Sequence, residues 1–146
     1  VGVGSSGPNS SEEAFRWTAE GGMVGLRDLP GGYNFSRANA VSGNGLVVVG
    51  EVVLLSGQEA FVWDGVNGMR NLKEVLVGQG VNLNGWDLYS ARGVSADGKT
   101  IVGYGKNPAR RDEGWIAVLT DQLVVQGTSA AKHYNITQKD TFQLVA

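Results

Sequence analysis

The amino-acid sequence predicts an all-β, propeller-like fold with about three four-stranded antiparallel blades, each blade being one small sheet. Three observations lead to this prediction. Glycine supplies 23 of the 146 residues and proline only 3, which is typical of many tight turns between short strands rather than of a disordered linker. Two motifs recur in the same order along the chain. No apolar stripe with the 3.6-residue period of a helix accompanies them.

The repeat consists of an aromatic motif and a glycine-rich motif. "EAFRW" at Glu13–Trp17 returns as "EAFVW" at Glu59–Trp63, 46 positions later, and in degenerate form as "EGWIA" at Glu113–Ala117. "ANAVSGNGLVVVG" at Ala38–Gly50 returns as "ARGVSADGKTIVG" at Ala91–Gly103, 53 positions later. The order is kept while the spacing varies, and a unit of about 45 residues has the length of a propeller blade.

Each unit divides into four short strands. The first two strands are joined by "SGNG" or "SADG", whose Asn-Gly and Asp-Gly pairs are favoured in hairpin turns that need positive φ. The aromatic motif forms the third strand. The expected first, second and fourth strands lie at Ala38–Val41 and Ala91–Val94, at Leu46–Gly50 and Lys99–Gly103, and at Met23–Leu26 and Met69–Leu72.

Side chains that recur on the third strands are expected to be structural. We predict that three tryptophans in register pack in the core, namely Trp17, Trp63 and Trp115. Three glutamates at the start of the same strands are expected to form hydrogen bonds with neighbouring turns, namely Glu13, Glu59 and Glu113.

The repeat also defines the domain organisation. A β-repeat domain covers residues 1–119, with a partial blade at 1–29 and blades at 37–73 and 90–119, and residues 120–146 form a C-terminal segment outside the pattern. Within this segment, "DQLVVQG" is a candidate fourth strand for the third blade, and "DTFQLVA" is a candidate first strand for the first blade. An unmatched tail is the alternative.

Propellers have about 4 to 8 blades, so two interpretations of the three blades stay open. Either two chains complete a six-bladed ring, or the chain is a piece of a longer propeller.

The ordered motifs resemble a known family. "EAFRWTAEGGMVGLRDLPGG", "SRANAVSGNGLVVVG", "GWDLYSARGVSADGKTIVGYGKNP" and "EGWIAVL" are similar to the HAF-repeat family of predicted extracellular bacterial proteins, over about Val1 to Leu119. The resemblance implies a propeller-like architecture, a secreted or cell-surface location in a bacterium, and no established enzymatic activity. The start in mid-repeat and the unmatched residues Thr120–Ala146 depart from the family's pattern.

The first residues, "VGVGSSG", fit the dinucleotide-binding pattern G-x-G-x-x-G through Gly2, Gly4 and Gly7. A cofactor site of that kind needs a helix directly after the glycines. The repeat instead makes Gly2 equivalent to Gly50 and Gly103 at the end of a second strand, followed by a loop and a third strand. We therefore expect no bound cofactor.

Composition excludes further classes of function. A net charge of −2 disfavours nucleic acid as a partner. The chain has one histidine, His133, and no cysteine, so no metal cluster is expected. No apolar run reaches the roughly 18 residues that a membrane span needs, so we expect no membrane insertion.

Candidate ligand-binding residues lie in the connections between second and third strands and between successive blades. These connections are expected at one end of the blades, where variable loops on a rigid scaffold carry binding residues. Their aromatic rings and cations suit sugar rings and carboxylates. The candidates are Tyr33, Phe35, Arg37, Trp86, Tyr89, Arg92, Lys106, Arg110 and Arg111. In the alternative interpretation, Trp86 and Tyr89 pack a seam between blades and the cations are ordinary solvated surface.

These residues favour a non-catalytic extracellular or cell-surface module that binds a glycan or a protein partner through its longer loops. Two alternatives stay open: a polysaccharide-acting hydrolase or lyase on a propeller scaffold, and a purely structural spacer repeat. The single histidine and the few acidic residues in the loops favour binding or spacing over catalysis. If the ring is closed by a second chain, the partner is a homodimer mate.

Overall fold

The computed structural model describes residues 2–6 and 11–120, which form three antiparallel sheets in chain order. The N-terminal sheet contains β1 (Gly2–Ser6), β2 (Glu13–Thr18) and β3 (Gly22–Gly25). The middle sheet contains β4 (Gly32–Val41), β5 (Val47–Leu54), β6 (Gly57–Asp64) and β7 (Gly68–Asn71). The C-terminal sheet contains β8 (Asp87–Val94), β9 (Thr100–Lys106) and β10 (Asp112–Val118). The all-β prediction is confirmed at this level, and the described residues form no closed barrel or ring.

Among the described residues, only the middle sheet has four strands. The segments "DQLVVQG" and "DTFQLVA", which were expected to complete the outer sheets, lie outside the described residues, as does Gly7. β1 pairs directly with β2 as an antiparallel strand. The N-terminal glycines therefore belong to a sheet, as the repeat predicts.

A short helix, α1 (Leu72–Gly78), follows β7 directly and was not predicted from the sequence. The side-chain oxygen of Asn71 accepts a hydrogen bond from the backbone N–H of Glu74 at 3.2 Å, which caps the first turn. Leu72 and Leu76 are one turn apart on the same side of the helix and are both buried. The sequence carries this signal as "NLKEVL", an N-cap followed by apolar residues at helical spacing.

The two predicted hairpin turns have the expected geometry. Gly45 and Gly98 adopt φ of 73° and 78°, the region in which glycine is favoured. The side-chain oxygens of Asn44 and Asp97 each accept from the backbone N–H two residues on, at 3.1 and 3.0 Å. The two turns are also in contact, because the N–H of Asn44 donates to the carbonyl of Ala96 at 3.3 Å.

In every sheet, an aromatic residue on the repeat's third strand lies opposite a glycine on its second strand. A Cβ added to Gly103 would lie 2.3 Å from the Trp115 ring, and one added to Gly50 would lie 2.8 Å from the Phe61 ring. The rings therefore occupy the space that the glycines leave. The three pairs are Gly4–Phe15, Gly50–Phe61 and Gly103–Trp115.

This register corrects two sequence-based assignments. Gly4, rather than Gly2, is the equivalent of Gly50 and Gly103. Trp115 is equivalent to Phe61, so it is not in register with the other two tryptophans. The core prediction is right for Trp115, which is fully buried, and wrong for Trp17, which is exposed; Trp63 is half-buried.

The three recurring glutamates form the predicted hydrogen bonds. Glu13 accepts from the backbone N–H of Arg27 at 3.0 Å. Glu113 accepts from the side-chain amide of Asn107 at 2.7 Å. Glu59 accepts from the hydroxyl of Ser56 at 2.6 Å and from the side-chain amide of Asn71.

The same packing step joins the sheets twice. β4 packs against β1 and β2, and β8 packs against β5 and β6 in the same way. One apolar core lies at each of these contacts, around Phe61 in the first and around Trp115 in the second. The side-chain amide of Asn39 in β4 donates to the carbonyl of Ala91 in β8 at 2.9 Å, which ties the first strands of the two larger units together.

Candidate functional site

A polar cleft of about 410 Å³ opens between the middle and C-terminal sheets. It lies where the β5–β6 turn, the start of β8 and the β9–β10 loop come together. The sequence places the connections between second and third strands at this end of the sheets. The cleft is lined by Ser56, Gly57, Gln58, Glu59, Lys73, Asp87, Leu88, Tyr89 and Arg110.

Asp87 lies at the centre of the charges in this cleft. Its carboxylate is 2.6 Å from Nη1 of Arg110 and 3.7 Å from Nζ of Lys73. Lys73 also donates to the backbone carbonyl of Trp86 at 2.5 Å. The hydrogen bond to Asp87, and then its charge, raise the pKa of Arg110 above its ordinary value. Asp87 therefore links α1, β8 and the β9–β10 loop.

Arg110 occupies a backbone conformation that favours glycine. Its φ is 63°, in the left-handed region, which costs an ordinary residue roughly 1–2 kcal/mol. The loop is built around Asn107, whose carbonyl accepts from the N–H of Arg110 at 2.8 Å and whose side chain accepts from that of Arg111 at 3.0 Å. Backbone strain of this kind is frequent at functional sites.

Tyr89 enters the cleft from an irregular point in β8. The pairing of β8 with β9 shifts register between Leu88 and Ser90, so Tyr89 has no partner residue of its own across the strand pair. Bulges of this type redirect a side chain and are common beside functional sites. Tyr89 is half-buried, which leaves an aromatic face and a hydroxyl group that both donates and accepts in the cleft.

The second carboxylate of the cleft, Glu59, is held from two sides. It accepts hydrogen bonds from Ser56 and from Asn71, the residue that caps α1. Within the part of the chain that the structure describes, no group of three or more acidic, histidine or cysteine side chains is arranged to hold a metal ion. The cleft thus offers cations, acids, an amide and a phenol as direct contacts for a polar ligand.

A buried carboxylate, Glu51, lies beside the cleft and shares Gln58 with it. Gln58 donates to Glu51 at 3.0 Å. The guanidinium groups of Arg37 and Arg92 approach the same carboxylate, at 3.8 and 3.6 Å. A carboxylate that is 5% exposed needs such partners, because burial of an unpaired charge is strongly unfavourable. We call Glu51, Gln58, Arg37 and Arg92 the Glu51 cluster.

The two arginines of the Glu51 cluster are held by further contacts. Arg37 lies over the ring of Phe35 at 5.5 Å and pairs with Glu12 at 2.8 Å, and Arg92 lies over the ring of Tyr104 at 5.3 Å. The hydrogen bond with Glu12 raises the pKa of Arg37, while burial lowers it to a smaller extent. The cluster is therefore structural in its immediate contacts, and it supports the wall of the cleft through Gln58.

A larger groove of about 700 Å³ lies at the other end of these sheets, beside the β6–β7 turn. Its carboxylate Asp64 accepts from the side chain of Asn67 at 3.0 Å and pairs with Arg70 at 2.7 Å. Burial pushes the pKa of Asp64 upward, but the hydrogen bonds from Asn67 and Val66 outweigh it, so the pKa is lowered. Because Asp64 is committed to its own turn, we assign no site there.

The structure separates the predicted site residues into groups. Tyr89 and Arg110 line the cleft. Phe35, Arg37 and Arg92 belong to the Glu51 cluster or contact it. The remaining predicted residues lie elsewhere: Trp86 packs against the core, Lys106 pairs with Asp112 at 2.8 Å, and Tyr33 and Arg111 are exposed.

Most of the predicted site residues lie in strands rather than in loops. β4 extends back to Gly32 and β8 back to Asp87, ahead of the boundaries expected at residues 37 and 90. The expectation that binding residues lie in the longer, variable connections is therefore corrected for six of the candidates, which are Tyr33, Phe35, Arg37, Tyr89, Arg92 and Lys106.

Three charged residues that line the cleft were not among the candidates predicted from the sequence. Lys73 is placed there by α1, and the N-cap signal at Asn71 is the sequence feature that could have located it. Glu59 was assigned a purely structural role, and Asp87 had no local signal because its partners lie on other elements.

Comparison with known proteins adds no relative. The chain matches no protein-family model, no curated protein and no solved structure. Among the described residues, no helix has the length and apolar character required to cross a membrane. The cleft and the resemblance that the repeat motifs carry are therefore the two features that bear on function.

Proposed function

We propose that this chain is a non-catalytic β-repeat module that binds a glycan in the cleft between the middle and C-terminal sheets. The observation that carries the proposal is the composition of the cleft. The lining of the cleft comes from both sheets and from α1. A volume of about 410 Å³ is surrounded by two cations, an acid, an amide and a phenol, which are Lys73, Arg110, Asp87, Gln58 and Tyr89.

The chemistry of this lining suits a polyhydroxylated ligand. Sugar hydroxyl groups both donate and accept hydrogen bonds, and the cleft supplies carboxylate acceptors, cationic donors and an amide that does both. The face of Tyr89 offers an apolar surface for a sugar ring. Arg110 and Lys73 add a preference for an acidic sugar, whose carboxylate can take the place of Asp87 in the hydrogen bond from Arg110 and in the ion pair with Lys73.

Binding fits the cleft better than hydrolysis does. A glycosidase generally needs two carboxyl groups that flank the scissile bond, one of which acts as an acid. The two acids of this cleft have other contacts, because Asp87 is paired with Arg110 and Lys73 and Glu59 is held by Ser56. We therefore place both acids in ligand orientation rather than in proton transfer.

The location and the finer architecture rest on the resemblance to the HAF-repeat family. We propose that the protein is secreted or lies at the surface of a bacterial cell and that each sheet is a propeller blade. The twice-repeated packing step supports the second part, because successive blades of a propeller meet face to face around an axis.

Substitution of Arg110 tests the binding proposal. Arg110→Gly removes the guanidinium and suits the left-handed backbone at this position. A charge-assisted hydrogen bond is worth about 1.5–3 kcal/mol, so the Kd for an acidic oligosaccharide found by glycan-array screening is expected to rise about 10- to 100-fold. The Kd is measured by isothermal titration calorimetry.

Arg111→Ala is the matched control, because Arg111 is the exposed neighbour of Arg110 and does not line the cleft. Its Kd should equal that of the unmodified chain. Equal losses in both variants would contradict the assignment of the cleft. Release of shortened oligosaccharides during the titration would favour the hydrolase or lyase, and an array without any bound glycan would favour the spacer.

A further inference from the structure

The described residues contain the same sheet-to-sheet packing step twice, so the chain itself shows which faces belong together. In the second step, Val49 and Val62 lie opposite each other on β5 and β6. They are 0% and 1% exposed and belong to the core that the middle sheet shares with the C-terminal sheet and α1. A face with this pattern therefore receives another sheet.

The outer face of the C-terminal sheet has the same pattern, and no other described residues cover it. Val102 and Ile116 lie opposite each other on β9 and β10, at the repeat positions of Val49 and Val62. They are 40% and 39% exposed. Val118, two residues further along β10, is also exposed. We call Val102, Ile116 and Val118 the trailing face.

The outer face of the N-terminal sheet has the complementary pattern. Trp17 and Met23 lie opposite each other on β2 and β3, as Trp63 and Met69 do on β6 and β7. Trp63 and Met69 pack against the core that the middle sheet shares with the N-terminal sheet. Trp17 and Met23 have no such cover among the described residues and are 45% and 62% exposed. We call this pair the leading face.

We propose that two copies of this chain associate head to tail, with the trailing face of one copy against the leading face of the other. The contact repeats the step that already joins the sheets inside the chain, with Ile116 in the position of Val62 and Trp17 in the position of Trp63. Exposed apolar patches of this kind mark interaction surfaces. The proposal is independent of the glycan cleft, which lies between two sheets of one chain.

A head-to-tail contact joins different surfaces, so each copy keeps one free face until the assembly closes. Two copies close if the rotation per sheet is about one sixth of a turn, because six sheets are within the range of known propellers. We expect the two-copy ring. Its formation buries the trailing and leading faces of both chains.

Charge substitutions at the two faces test the arrangement. Ile116→Lys and Met23→Glu each place a charge on one exposed face, and each variant should be monomeric by light scattering at concentrations where the unmodified chain is dimeric. Because the contact joins unlike faces, an equimolar mixture of the two variants keeps one unmodified interface and adds an opposite-charge pair at the other. The mixture should therefore regain dimers.

The control is Val66→Lys, since Val66 is 93% exposed in the β6–β7 turn and lies on neither face. Its dimer should be unchanged. Thermal unfolding of each variant establishes that loss of the dimer is not loss of the fold. A monomeric unmodified chain, dimers that persist in either single variant, or a mixture that stays monomeric would each overturn the proposal.

Discussion

At the scale of single residues, Gly103 leaves no space for a side chain between a strand backbone and an aromatic ring. A Cβ at Gly103 would lie 2.1 Å from the carbonyl oxygen of Ser90 and 2.3 Å from the Trp115 ring. Neither neighbour can move freely, because one is backbone in a sheet and the other is fully buried. Gly103 is therefore fixed by space rather than by its dihedral angles.

Gly103→Ala should lower the free energy of unfolding by at least about 1–3 kcal/mol, the range for overpacking a close-packed core. Urea denaturation of the two proteins measures the difference. Gly65→Ala is the matched control, because a Cβ at Gly65 would meet no atom within 4 Å. Equal stability of the Gly103 variant and the unmodified chain would show that the ring does not occupy the glycine's space.

At the scale of elements, the short helix α1 contributes to the cleft, because one residue, Asn71, contacts both the helix and a cleft side chain. Asn71 caps the helix through its side-chain oxygen and contacts Glu59 through its side-chain amide. The helix in turn carries Lys73 to Asp87. The cap therefore affects both a local turn and the charges of the cleft.

Asn71→Ala should cost about 0.5–2 kcal/mol of stability through the lost cap, and it should also weaken glycan binding because Glu59 and Lys73 lose their support. Chemical denaturation and calorimetric titration measure the two effects separately. Glu74→Ala serves for comparison, since the cap bond uses only the backbone N–H of Glu74. Unchanged binding in the Asn71 variant would remove α1 from the site.

The strands and turns were predictable from sequence because their signals are local. The Asn44-Gly45 hairpin is specified by adjacent residues and has the expected geometry. The lengths of β4 and β8 were not predictable, since register shifts near Ser36 and Tyr89 break the alternation that marks a strand. The helix α1 was not predicted because its N-cap and its apolar spacing extend over only seven helical residues.

The candidate site was predictable only in part for a related reason. Tyr89 and Arg110 are conspicuous residue types in glycine-rich surroundings, and both line the cleft. Lys73 and Asp87 meet across elements that no repeat or spacing connects. Contacts between sheets follow from packing, which a single sequence does not reveal.

At the scale of the whole molecule, the Glu51 cluster connects all three sheets. Glu51 lies in the middle sheet, Arg92 comes from the C-terminal sheet, and Arg37 also reaches Glu12, which lies directly before β2 of the N-terminal sheet. The arginine side chains are 43% and 52% exposed and can be hydrated, whereas the carboxylate cannot. The buried Glu51 carboxylate therefore needs the two cations for its stability, whereas the arginines can be stabilised by water without Glu51.

This asymmetry predicts a non-additive pair of substitutions. Arg37→Ala and Arg92→Ala should each have a modest effect, because one cation and Gln58 still face the carboxylate. The double variant leaves the buried charge without a cation and should lose about 3–5 kcal/mol, more than the sum of the single losses. A double-mutant cycle in urea gives the coupling, and strict additivity would show that Glu51 is stabilised in another way.

The glycine–aromatic pairs also restrict how each hairpin can misfold. A slip of one residue between β5 and β6 would bring Val49 or Glu51 opposite Phe61 in place of Gly50, where even a Cβ lies 2.8 Å from the ring. The wrong pairing is therefore rejected within a single hairpin, before the sheets have met. Each hairpin thus carries its own check on strand alignment.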